Sequence, residues 1–175
     1  MWRASPESVD HCSASIKDTR FSKDKKPYKT HVGIRLRDPE AVKSSACTGP
    51  LFYVEFDAKK LRLGVGVKAF DKEMLEAYRQ GVGQGDLAKS LSRIVRSAQG
   101  KGHTLIGKTL KRVPPAYADQ ADNDLIKRKG LFIMQEQPLP EVIHKPGFVA
   151  YCARWFKNYV PLYKQLDHLR DRATG

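Results

Sequence analysis

Three short strand-like stretches, the first with apolar residues at every second position, do most to limit what this chain can fold into. "HVGIRLR" (31–37) alternates Val32, Ile34 and Leu36 with Gly33, Arg35 and Arg37. After a turn-rich segment, "DPEAVKSSACTGP", come "LFYVEF" (51–56) and "LRLGVGVK" (61–68), separated by "DAKK". A two-residue period is that of a strand with one face in a core. A link of hairpin length joins antiparallel neighbours, because parallel ones need a long crossover. The expected sheet is an antiparallel meander.

The pattern then lengthens to that of helices. Asp71 is placed to cap one, with Phe70 and Leu75 at the positions of a hydrophobic staple, and "GQG" (83–85) interrupts it. Asp86 is expected to cap the next. Its Leu87, Leu91, Ile94, Val95 and Ala98 form one stripe, and Lys89, Arg93 and Arg96 share an outward face. "GLFIMQ" (130–135) reads equally as a short strand or as the end of a helix beginning near Asp122. From Phe148 to Leu169, the residues Tyr151, Cys152, Trp155, Tyr159, Leu162, Leu166 and Leu169 mark a long amphipathic helix. Pro161 should kink or restart it. The fold class is α+β, an antiparallel meander with helices on one face and a long C-terminal amphipathic helix. One domain is expected over 18–175, after a small, polar, poorly ordered leader at 1–17.

Charge bounds the partners. Thirty-two Lys and Arg against nineteen Asp and Glu leave a net charge of +13, which concentrates anions near the surface. Cys12, Cys47 and Cys152 are odd in number and lack CxxC or Cys/His ligand spacing, so no disulfide framework or zinc site is indicated. Reduced thiols, no signal-like leader and no long apolar run lead to the expectation of a cytoplasmic protein with no membrane partner.

Among motifs, "GHTLIGKT" (102–109) matches the phosphate-binding pattern GxxxxGK[ST]. That site needs a strand before the loop and a helix directly after it, and Pro114 and Pro115 leave barely one turn of room. It is therefore set aside. Gly64 and Gly66 share one strand face and invite a close approach, by a packed helix rather than a ligand. The histidines have no partners at nucleophile or metal spacing, and no cofactor or metal is indicated.

"DTRFSKDKKPYKTHVGI" (18–34) resembles the signature of a bacterial and fungal family, number 2461 among the domains of unknown function. That family has an R-x-x-R-F-S-K-D-K-x-P-Y-K-T run leading into a strand. "PLFYVEFDAKKLRLGVGV" is similar to its hairpin, and "LKRVPPAYADQADNDLIKRKGLF" to its L-K-R-x-P…D-L-L-R-x-K segment. The resemblance spans 18 to about 170 and implies no established reaction, cofactor or partner. It also implies an N-terminal helical section where this chain has residues 1–17, so a truncated member is expected. Self-association through the surface such a section would cover is a further expectation.

Whether the chain is an enzyme stays open. One reading is a binding module for a phosphate-bearing or nucleic-acid anion, held by Arg20, Lys23, Lys29, Lys111 and Arg112. Phe21 and Tyr28 would pin the basic loop to the domain. Another is an enzyme on a phosphate- or carboxylate-bearing small molecule, with Asp24 or His31 moving a proton. A third is structural: Arg20, Asp24 and Tyr28 lock a loop by hydrogen bonds.

Overall fold

The strand-like stretches of the sequence become strands in the computed structural model, which describes residues 9–12, 30–37, 49–83, 85–120 and 123–174. β1 (Val9–Cys12), β2 (His31–Leu36), β3 (Leu51–Asp57), β4 (Lys60–Val67), β5 (Thr104–Ile106) and β6 (Leu131–Pro138) form one antiparallel open sheet. Its order is β1-β2-β3-β4-β6-β5. The expected meander β2-β3-β4 lies at its centre. The β3–β4 hairpin closes on two residues, Ala58 and Lys59, because the Asp57 carboxylate accepts from the Lys59 and Lys60 backbone N–H groups at 2.7 and 2.9 Å. Within the expected leader, Val9–Cys12 pairs with β2, with a register irregularity between Val9 and His11.

"GLFIMQ" is strand, with β6 pairing β4 from Val67↔Leu131 to Lys60↔Pro138. Phe52, Val54, Leu61, Leu63, Val65, Leu131 and Ile133 face the helices and form the core with them. The helices are α1 (Lys72–Gly83), α2 (Asp86–Gly100), α3 (Phe148–Lys157) and α4 (Val160–Thr174). Asp71 caps α1, its carboxylate accepting from the Met74 N–H at 2.7 Å. α2 differs from expectation: Gly85 occupies the cap position and Asp86 is already helical. The C-terminal helix restarts as expected, since Pro161 fits only the first turn of α4. Its stripe of Leu162, Leu166 and Leu169 is buried. No helix among the described residues is long and apolar enough to cross a membrane.

The glycines of β4 correct one expectation. What approaches Gly64 is the Phe132 ring rather than a helix; a Cβ there would lie 2.4 Å from it. Phe132 therefore packs flat against the sheet on the side away from the core, with Tyr53 edge-on to it and Lys68 Nζ 5.3 Å from its centroid. The same far face carries a row of ion pairs, Arg62 with Glu55 at 2.7 Å, Asp57 at 3.2 Å and Glu136 at 2.7 Å.

Candidate functional site

The β5–β6 ladder does not stop at Ile106↔Phe132. Farther along, the Leu110 N–H donates to the Lys127 carbonyl and the Lys129 N–H to the Lys108 carbonyl, both at 2.8 Å, with Thr109 opposite Arg128. Between these two pairings one strand advances three residues and the other four, so a residue is bulged out on the β6 side. The bulge brings three backbones into contact. Gly107 has φ +130° with the Gly130 carbonyl 2.6 Å from where its Cβ would be, and a Cβ on Gly130 would lie 2.1 Å from the Lys68 carbonyl oxygen. Only glycine fits such approaches. The Phe70 N–H donates to the Lys129 carbonyl at 2.9 Å, tying the ribbon to the start of α1.

This ribbon collects charge of one sign. Residues 107–113 and 124–130 contain six cations, Lys108, Lys111, Arg112, Lys127, Arg128 and Lys129, and a single acid, Asp124. Lys108, Lys111, Arg112 and Lys129 are exposed; Lys127 and Arg128 are half-buried. Asp124 pairs with Lys127 at 2.8 Å, and that hydrogen bond with its accompanying charge holds the carboxyl below its ordinary range. No described carboxylate pairs with the other five.

The turn carrying Lys127–Lys129 is fixed from behind by α1. The buried Tyr78 hydroxyl donates to the Leu125 carbonyl at 3.1 Å, and burial pushes that phenol well above its usual range. Arg79 Nε donates to the Ile126 carbonyl at 3.4 Å. The Asn123 amide donates to the Val82 carbonyl at 3.2 Å and accepts from the Leu125 N–H at the same distance. Exposed lysine side chains thus stand on a backbone held by hydrogen bonds, a geometry that suits an extended anion better than a small enclosed one.

Of the residues singled out in the sequence, Lys111 and Arg112 lie on this ribbon. Arg20, Lys23, Asp24 and Lys29 fall outside the described residues. His31 sits elsewhere: it opens β2 opposite Asp57, while the ribbon continues from β5 at the other edge. Four strand spacings separate β2 from β5, roughly 19 Å at about 4.8 Å each. The structure therefore does not bring His31 together with Lys111 and Arg112. Sequence reasoning missed Lys108 and the "KRK" of 127–129. The basic run was plain, but its partner segment was not.

"GHTLIGKT" is accounted for by the same ladder. β5 lies inside the motif and Lys108 is a ribbon residue, with only a 3-10 helix, Pro115–Gln120, farther on. No helix N-terminus faces a phosphate there. His103 hydrogen-bonds through Nδ1 to the Tyr159 hydroxyl at 2.6 Å and packs 5.8 Å from the Trp155 ring. Burial first, and Lys101 second, lower its pKa. Among the described residues no group of His, Cys, Asp and Glu could hold a metal ion.

Comparison with known proteins places the chain. The model of the conserved hypothetical protein family DUF2461 matches residues 5–164, and the chain belongs to that family. No curated protein and no solved structure matches it.

Proposed function

We propose that this member of the DUF2461 family is a binding module for nucleic acid, with Lys108, Lys111, Arg112, Lys127, Arg128 and Lys129 contacting backbone phosphates. The observation that carries the reading is the glycine-bulged pairing of 108–110 with 127–129, which gathers six cations against one acid. Phosphate contacts of this kind dominate nucleic-acid affinity and need no enclosed pocket. Arg20, Lys23 and Lys29 are proposed as a second contact on the same ligand.

The test compares variants of equal charge. Lys111→Ala/Arg112→Ala should weaken binding of a fluorescent oligonucleotide by about tenfold and lower the salt slope by roughly 1.5, at ~0.7–0.9 per phosphate contact. Lys59→Ala/Lys145→Ala removes two exposed lysines elsewhere and should have little effect. Arg20→Ala/Lys23→Ala tests the second contact. Equal losses in all three would mean that net charge alone governs binding and that the ribbon is no site.

A further inference from the structure

A cleft of about 550 Å³ opens between α2 and residues 119–120 and 123–125, and none of the ribbon's exposed lysines lines it. That volume falls within the range of small-molecule sites, about 300–1,000 Å³. Val95 and Leu125, 7% and 6% exposed, give it an apolar floor. Ser92, Arg96 and Gln99 line one wall, at i, i+4 and i+7 along a single stripe of α2. Asp119 stands on the opposite wall.

The remaining polar residues of the cleft already have structural work. Gln120 and Asn123 donate to the Gly83 and Val82 carbonyls, satisfying the exposed C-terminal end of α1 and fixing the wall. Asp124 is paired with Lys127. Arg96 and Asp119 form no hydrogen bond or ion pair with any described residue. One guanidinium and one carboxylate thus line an apolar-floored cleft from opposite walls, each without a partner among the described residues. They are not a salt bridge with each other: Arg96 stands on α2 and Asp119 on the 3-10 segment, and no ion pair joins them.

From this geometry we infer that the cleft binds a small zwitterion with an apolar arm, of the class of aliphatic α-amino acids. Its carboxylate is held by Arg96, whose planar fork suits two oxygens. Its ammonium is held by Asp119, and its side chain rests on Val95 and Leu125. A purely anionic ligand would leave Asp119 opposing it, and a nucleobase would find no aromatic ring among the described lining residues to stack on. Because the Asp119 wall is fixed by its hydrogen bonds to α1, little ordering is required on binding.

The site is independent of the ribbon reading, and its test separates the two. The uniformly 15N-labelled chain is titrated with L-leucine, N-acetyl-leucine and leucinamide while the Val95, Gln99 and Leu125 amides are followed by NMR. Leucine should produce saturable shifts with Kd of about 1 mM or tighter. Each analogue lacks one charge and should bind about tenfold more weakly. Arg96→Gln should no longer distinguish leucine from leucinamide, and Asp119→Asn should no longer distinguish it from N-acetyl-leucine. Both residues are exposed, so neither variant threatens folding. Lys111→Ala/Arg112→Ala should bind leucine as the wild type does. Absence of saturable shifts up to about 20 mM would overturn the inference. So would leucine selectivity that survives both cleft substitutions, or that is lost in the ribbon variant.

Discussion

Gly130→Ala tests whether the bulge builds the ribbon. The added Cβ would lie 2.1 Å from the Lys68 carbonyl oxygen, 2.6 Å from its carbon and 3.1 Å from the Ala69 nitrogen. All three are backbone atoms, so no side chain can rotate away to relieve the contact. The 68–70 segment must move, and with it the 2.9 Å hydrogen bond from Phe70 N–H to the Lys129 carbonyl. Overpacking of this kind costs about 1–3 kcal/mol, and loss of the hydrogen bond about 1 kcal/mol more. With a central value of about 3 kcal/mol, and ~2–4 °C per kcal/mol for a chain of this size, Tm should fall by roughly 6–12 °C. Gly100→Ala is the matched control. Its Cβ meets nothing within 4 Å at the end of α2, so the same substitution should be neutral or stabilising by up to about 1 kcal/mol. Thermal melts followed by circular dichroism read both, and oligonucleotide affinity should fall with Gly130→Ala alone. If Gly130→Ala melts with the wild type and binds as tightly, the three backbones do not meet as described and the ribbon has another origin.

Leu166→Ala, at a fully buried position on α4, should cost about 2–5 kcal/mol by urea denaturation. Stability should also fall as pH drops below the ordinary histidine range of about 6.5. The sign follows from His103: burial lowers its folded pKa, so the unfolded chain takes up the proton first and protonation favours unfolding until the folded pKa is passed. His103→Phe should flatten that slope in urea midpoints measured from pH 7.5 to 5. Cys152 is buried and burial pushes its thiol up to about 11. Mass spectrometry after alkylation at neutral pH should find it unmodified in the native protein and modified in urea.

The meander was legible because β2 and β4 keep one face polar or glycine-lined, against which a two-residue period is visible, and a short polar link ties the β-rich run of β3 to β4. β6 offered no such contrast. Leu131, Phe132 and Ile133 are all fully buried, so a run buried on both sides looks the same as one turn of a buried helix. The clue lay in β4, where Gly64 vacates the space that Phe132 fills, but that reading requires knowing that the two strands are neighbours. Charges are legible one by one; their neighbours are not. Lys111 and Arg112 stood out within "LKR", and "KRK" at 127–129 was equally basic, yet what joins them is a one-residue slip in register. If the pairing of Ile106 with Phe132 ran on without the bulge, Arg128 would sit opposite Leu110 instead of Thr109. A slip of one residue turns every following side chain to the other face of a strand. The arrangement of cations on the ribbon thus depends on Gly107 and Gly130, which allow the bulge and the close approach to Lys68, and substitutions there should rearrange the basic surface without removing a single charge.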